Sequence, residues 1–309
     1  MKKYILKRLA IALAAIFLIL LILFLLLQYM PGSPFNEKLS DEQIAQLNAF
    51  YGLDDPFWVQ FGRYVKNMLS GNFGVSYNIA KNVPVAQLLS TRLPISLRLG
   101  AQAVVLGAVV GLLLGILAAI KHNTIWDSIA TVIAVIGVSL PSYVFALALS
   151  YFVGFRLKWL PLLYSKDLPF ESSVMGTIAL SVFTIASISR FTRNEMLEVL
   201  GSDYMLLAES KGLSGPALIF RHALRNALIP VVTVLAPLVV SLMTGSLVIE
   251  KIFSIPGIGM LMITAIQSND HNVTITLAFI YSVMYIGIML FVDILYGIID
   301  PRIRLAKEG

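Results

Sequence analysis

Residues Ser202 to Pro230, SDYMLLAESKGLSGPALIFRHALRNALIP, form a polar and basic island between two long apolar runs. The chemistry available there is recognition, not bond making. His122, His222 and His271 lie far apart and form no ligand-spaced pair, and the chain has no cysteine. Thiol catalysis, disulfides and cysteine metal sites are thereby excluded. No G-x-x-x-x-G-K-[ST] phosphate loop, no H-E-x-x-H and no G-x-S-x-G occurs. The reading is therefore of a chain with no catalytic residue, cofactor site or metal site of its own. A segment that leaves an apolar environment as two short capped helices is built to touch something in the water.

The island's spacing predicts those two helices. Gly201 breaks the helix before it, Ser202 is placed to cap the next one, and Asp203 puts a negative charge in its first turn. Lys211 occupies the last turn, and Gly212 can supply the left-handed residue after it. A helix over Asp203–Lys211 is too short to persist alone in water, so it must pack on something. Tyr204, Leu207 and Ala208 share one face, with Met205 and Leu206 beside it. Gly215 and Pro216 then start a second helix, whose apolar stripe is Ala217, Phe220, Leu224 and Ala227, with Arg221, His222 and Arg225 facing elsewhere. Two readings follow: a knob for a partner's socket, or an amphipathic loop resting on lipid headgroups.

The elements that hold the island are apolar spans. The chain is 58% hydrophobic and 13% charged over 309 residues, about half the charge of a soluble domain. Six segments are long enough to cross a bilayer: Leu9–Met30, Leu99–Ile120, Ser128–Phe155, Ser172–Ser189, Asn226–Ile249 and Val273–Ile299. The first is too long for a signal-peptide core and lacks a following small-residue cleavage site, so it is read as a retained helix. The fold class is all-α and membrane-spanning, with residues 1–30, 31–98 and 99–309 as its successive segments. The net charge of +6 is spread along the flanks of spans and gives no nucleic-acid patch. Thirteen of the 23 lysines and arginines fall on the side shared by the N-terminus, the island and the C-terminus. That side is assigned to the cytoplasm, with both termini inside.

The outer segment, Pro31 to Arg98, shows helical periodicity after Asp41 and again from Pro56, with Ser40 as N-cap and Gly52 and Gly71 as stops. It reads either as a small cap or as a docking surface for an external partner. Ala103, Gly107, Gly111, Gly115 and Ala119 recur every four residues in the second span, the register of close helix packing in lipid. Asp293 is the one charge within a span, and a backbone donor or nearby arginine is expected to meet it. Ion-coupled carriers place several such groups at mid-membrane, so the energy is expected to come from elsewhere. Pro230 and Pro237 should bend the fifth span. Ser241, Thr244 and Ser246 behind them either line an aqueous path or bond back to their own helix. Glu250-Lys251 marks that span's outer end, and Ser254-Ile-Pro-Gly-Ile-Gly-Met leads into a short re-entrant or interfacial helix.

Asp203-Tyr204, Ala208-Glu-Ser-Lys-Gly212 and Arg221-His-Ala-Leu-Arg-Asn-Ala-Leu-Ile-Pro230 together resemble the cytoplasmic loop of ATP-binding-cassette importer permeases, most closely the dipeptide and oligopeptide branch. Gly52-Leu-Asp-Asp-Pro56, Gly71-Asn-Phe-Gly-Val-Ser76, Phe253-Ser-Ile-Pro-Gly-Ile-Gly259 and Asp300-Pro-Arg-Ile-Arg304 point the same way. Leu206 and Leu207 stand where the general importer signature has Glu and Ala, a departure similar to the peptide and nickel branch. The resemblance implies a type I importer permease fold and a bacterial plasma-membrane location. It implies a second permease subunit (usually a different chain), two cytoplasmic ATPase subunits that bind ATP-Mg, and an extracytoplasmic binding protein that delivers peptide. Asp203, Tyr204, Leu207, Ala208, Glu209 and Gly212 would then form the ATPase-coupling helix. A nickel, glutathione or other small-solute importer is the alternative, with Asp270 and His271 as slight support for nickel. An ion-coupled secondary carrier is the alternative from another class.

Overall fold

A computed structural model of the chain describes residues 2–29, 40, 42–43, 46, 54–213, 215–243 and 247–299. The described residues are helical apart from loops and one isolated bridge between Val75 and Pro84. Among the described residues four helices are long and apolar enough to cross a membrane, and the number reaches six if each of two bent helix pairs is one span. The fold is that of an all-α, multi-pass membrane protein, as the apolar runs require: backbone polar groups in hydrocarbon must be satisfied within each segment. Gly52, the Pro31-Gly-Ser-Pro stretch and the Asp300–Arg304 motif lie outside the described residues.

By contact the chain groups into two units, residues 1–95 with 256–294, and 96–255 with 295–309. The division into 1–30, 31–98 and 99–309 is a partition along the chain and is of a different kind.

In the first unit, α1 (Lys2–Tyr29) packs its aromatic side on α2 (Phe57–Leu69). Phe24 meets Phe57, Phe61 and Tyr64 at ring-centroid distances of 5.3–5.4 Å. Two of the expected caps of the outer segment, at Ser40 and Gly71, fall among the described residues and are present. Ser40 and Gln43 exchange side-chain-to-amide bonds of 3.1 and 3.3 Å, a capping box. Gly71, at φ +75°, closes α2 with its amide on Met68 O and that of Asn72 on Asn67 O, the paired bonds of a Schellman stop. The helix after Ser254-Ile-Pro-Gly is α3 (Ile258–Gln267), and α4 (His271–Ile299) follows it. Val85 and Leu89, early in α5 (Val85–Ile120), are buried among Ile258, Leu261, Ala265, Val273 and Leu277. Asp293, for which a backbone donor or a nearby arginine is expected, meets the side chain of Arg8 at 2.8 Å, an arginine distant in sequence.

The second unit holds α5 from residue 96 onward, then α6 (Ile125–Ser139), α7 (Ser142–Leu149), α8 (Val174–Leu200), α9 (Asp203–Ser210), α10 (Leu224–Met243) and α11 (Leu247–Ile252). The small-residue register of α5 lies against α8. A Cβ added at Gly115 would stand 2.6 Å from Ser189 O and from Thr192 Cβ, so only glycine permits this approach. Enclosure follows. Two thirds of the most apolar window of α8 is buried, against 11–33% in the other three single-helix spans.

Three expectations need correction. The third span is not one helix: α6 and α7 meet at 104°. Pro141 forces the residue before it out of the helical region, and Leu140 is extended at φ −93°, ψ 131°. α7 then continues as wide π-helical turns over Ser150–Arg156. Second, Glu250 does not mark a watery end. It is fully buried and accepts a 2.6 Å bond from Ser96 Oγ, while neighbouring Lys251 is exposed, because the two residues project from different sides of α11. Third, the apolar stripe of the island's second helix is displaced. Ala217 and Phe220 are exposed, and Ala223 and Ala227 are buried. The turns over Leu218–Ala223 are π-helical, and the extra residue per turn rotates the face that a 3.6-residue period would present. The expected bend of the fifth span is there, 44° at Pro230.

Candidate functional site: the short helix at the end of α8

α8 runs on from its span to Leu200, stops at Gly201, and α9 begins two residues later. Ser202 stands at the N-cap with extended backbone, and its carbonyl accepts from Met205 and Leu206. Its hydroxyl does not cap the helix. It donates to Val199 O at 2.6 Å, because the carbonyls left free at the end of α8 lie within reach. The dipole is met instead by Asp203 in the first turn. At the other end Gly212, φ +85°, sends its amide to Glu209 O at 2.9 Å, and Leu213 N reaches Ala208 O at 3.2 Å. This is the stop found at Gly71.

Met205 anchors α9. It is 2% exposed and buried with Ala119, Met196, Ala223 and Ala227, which ties the helix to the ends of α5 and α8 and the start of α10. Tyr204, Leu206 and Leu207 are 46–60% exposed on the outside of the helix. Asp203 and Glu209 are exposed beside them, and Ala208 is half-buried. The Tyr204 hydroxyl accepts a 3.3 Å bond from Asn226 Nδ2. An apolar patch on a helix of eight residues is thus held rigidly at its inner face and at its C-terminus while its outer face stays uncovered. Of the path-lining candidates, Ser241 is exposed, and Thr244 and Ser246 lie outside the described residues.

The structure adds a bracket that sequence reasoning missed. Asp127, 5% exposed in the first turn of α6, accepts from Arg193 Nε at 2.6 Å and from Arg193 Nη2 at 2.8 Å. A two-point arginine–carboxylate pair fixes orientation as well as distance. Asn123 N at 3.1 Å also donates to Asp127, and His122 Nδ1 lies 3.1 Å away. Arg193 lies two helical turns before the end of α8, so the pair joins α6 to the helix that carries α9. The readable signal was an acid in the first turn of an apolar segment, which needs a cation.

A second carboxylate lies in the other unit. Asp270 is fully buried just before α4. Its Oδ2 accepts from Ser76 Oγ at 2.5 Å and from the amides of Tyr77, Asn78 and Ile79 at 3.0–3.1 Å. Asn272 Nδ2 adds a 2.9 Å bond to Val75 O. Burial pushes the Asp270 carboxyl up, but the Ser76 hydroxyl and the three amides outweigh it and hold the carboxyl below the usual range. This clamp grips the Gly71–Ser76 motif of the outer segment.

Comparison with known proteins agrees in extent and kind. The family described as "Binding-protein-dependent transport system inner membrane component" matches residues 111–305, and its N-terminal counterpart matches residues 1–100. The chain is 45% identical to the dipeptide transport system permease protein DppB of Lactococcus lactis, over 99% of this chain and all of that one. It is 40% identical to DppB of Bacillus subtilis over the full length of both. It is 38% identical to the oligopeptide transport system permease protein OppB of Salmonella typhimurium, over 98% of this chain and all of that one. Among solved structures, a chain of the MetNI methionine ABC transporter in an inward-facing conformation superposes with a TM-score of 0.58 at 16% identity, over 69% of this chain and 97% of its own length. A chain of an amino acid ABC transporter superposes with a TM-score of 0.54, also at 16% identity, over 68% and 94%.

Proposed function

The chain belongs to the family of inner membrane components of binding-protein-dependent transport systems, and from that premise we propose a mechanism in which α9 couples ATP hydrolysis by partner subunits to peptide passage. Relatives named as dipeptide and oligopeptide transport permeases at 38–45% identity over nearly the whole chain make it a permease subunit of a peptide ABC importer. The observation that carries the coupling reading is the uncovered patch of Tyr204, Leu206 and Leu207 on a helix locked at Gly212. Exposed apolar groups on a short rigid helix favour a socket in another protein.

In this reading two cytoplasmic ATPase subunits bind ATP-Mg, and each receives one such helix, this chain's from Asp203, Tyr204, Leu207, Ala208 and Glu209. The chain itself catalyses nothing. A second, different permease subunit completes the pathway, and an extracytoplasmic binding protein delivers the peptide. The chain spans a bacterial plasma membrane with both termini in the cytoplasm. Force on α9 passes through Met205 into α8 and the start of α10. The Asp127–Arg193 bracket carries it to α6, and the glycine seam carries it to α5. On the outer side, the Asp270 clamp fixes the Ser76–Ile79 turn as part of the surface offered to the binding protein. Asp270 Oδ2 already accepts from four donors, which favours the peptide reading over a nickel cargo held by Asp270 and His271.

The test is charge reversal at Asp203 with truncation of Tyr204, in the complete reconstituted importer. Peptide uptake is expected to fall at least tenfold while the subunit remains inserted and the ATPases keep hydrolysing. Unchanged uptake would remove the coupling assignment.

A further inference from the structure

α2 crosses α1 instead of running along it. Phe57, Phe61 and Tyr64, spread over two helical turns, all place their rings 5.3–5.4 Å from the single ring of Phe24. Phe24 stands near one end of the apolar span Ile5–Leu26, so the crossing lies at membrane depth. Met68 agrees: it is buried with Leu20 of α1 and with Ile275 and Phe279 of the apolar span His271–Ile294. The crossing also fixes which flank of α2 faces which way. Phe61, on one flank of the packed face, reaches Phe17 at 5.8 Å as well, a residue about 10 Å closer to the middle of the span. Among the described ring pairs Tyr64, on the other flank, meets Phe24 and not Phe17.

The two flanks differ in kind. Trp58, Gly62, Val65 and Leu69 continue the flank of Phe61, at the spacing of one helical stripe. Trp58 and Leu69 are 72% and 67% exposed, Gly62 is exposed and Val65 is half-buried. Gln60, Arg63 and Asn67 continue the flank of Tyr64, with Arg63 paired to Asp55 at 2.5 Å. We infer that α2 lies in the membrane–water interface as an amphipathic helix, its Trp58–Leu69 stripe on phospholipid acyl chains and its Gln60–Asn67 stripe toward headgroups and water. What selects lipid over a protein partner is the direction of the gradient. Polarity rises across α2 from the side nearer the middle of the span to the side nearer its end, as it does across a leaflet. A tryptophan on the lower flank with arginine on the upper one suits the headgroup boundary. α2 ends at Gly71, so its depth sets the height of the Gly71–Ser76 motif that Asp270 grips. The inference rests on the membrane reading but not on coupling through α9, so the two can fail separately.

The test is nitroxide accessibility in the complete importer, reconstituted in nanodiscs of phosphatidylglycerol and phosphatidylethanolamine. This chain has no cysteine, so Gly62→Cys, Leu69→Cys and Asn67→Cys can each carry one label beside cysteine-free partner subunits. A Cβ added at Gly62 meets no atom within 4 Å, so a label there costs no packing, and retained peptide uptake shows that the labelled importer is assembled. At Gly62 and Leu69, collisions with dissolved oxygen, which concentrates in hydrocarbon, should exceed those with a water-soluble nickel chelate several-fold. At Asn67 the order should reverse. Preferential nickel access at Gly62 and Leu69 would overturn the inference by placing the stripe in water. Exclusion of both reagents from an immobilised label would also overturn it, because protein then covers the stripe. So would immobilisation that appears only when the binding protein is added, which would make the stripe a docking surface for that partner.

Discussion

Asp127 and Asp270 are both buried carboxylates that join pieces of chain far apart in sequence, one in each contact unit, and they do so by opposite means. Asp127 is held by a cation, Arg193, whose side chain is 24% exposed, with His122 beside it and 42% exposed. Asp270 is held by neutral groups, one hydroxyl and three consecutive amides, and is wholly enclosed. An ion pair whose arginine still reaches water can be broken and remade at lower cost than a fully enclosed one, because water can take up the freed cation. A nest of part-buried amides around a fully buried carboxylate cannot release it without leaving several donors short of a partner at once. The first suits a joint that moves, and it sits on the helix that carries α9. The second suits a joint that stays shut.

The largest effect should come from Asp270→Ala, which strands the buried Ser76 hydroxyl and three part-buried amides at once. A destabilisation of about 3 kcal/mol is expected from the lost bonds to a charged acceptor, seen in thermal unfolding of the purified complex. A shift no larger than that of Ser76→Ala would show that the amides find water and that the clamp is soft. Next is Asp127→Ala, at about 1–2 kcal/mol because Arg193 keeps partial access to solvent. A double-mutant cycle with Arg193→Gln should return a coupling of about 1 kcal/mol that shrinks with added salt, whereas the Asp270 effect should not. Equal salt sensitivity at both sites would erase the distinction drawn between them.

Smaller again is Gly212→Ala, which places a Cβ in left-handed backbone at about 1 kcal/mol and should loosen α9, measured as weaker co-purification of the ATPases. Gly71→Ala carries the same strain in α2 and should leave that co-purification untouched. The smallest effect is on acidity. With the folded Asp270 carboxyl held below its unfolded value of about 3.9, its contribution is complete above that pH. It should fade as pH drops below about 4, visible as an acid limb in the melting temperature that Asp270→Asn abolishes.

Much was legible because it is local. Apolar runs of spanning length, the stops at Gly71 and Gly212, the box of Ser40 with Gln43, and the four-residue glycine register of α5 each follow from neighbours within a turn or two. The exposed patch of α9 was legible for the same reason, since a capped helix with more apolar surface than a loop needs announces itself. Local rules also failed where geometry shifted by one residue. The π-helical turns over Leu218–Ala223 turned Phe220 outward, and Pro141 split a span whose composition reads as continuous.

Other decisions belonged to the tertiary structure alone. That Arg193 meets Asp127 across 66 positions, that Ser76 meets Asp270 across 194, and that Glu250 turns inward to Ser96 across 154 depends on which helices pack together. No local pattern encodes a partner at that separation. Composition and periodicity determined that the chain would cross a membrane and present one capped helix, because hydrocarbon thickness and helix geometry act residue by residue. Which buried charge is satisfied by which donor was decided only when the helices closed on one another. A desolvated carboxylate then takes whatever hydrogen-bond donors the packing brings within about 3 Å.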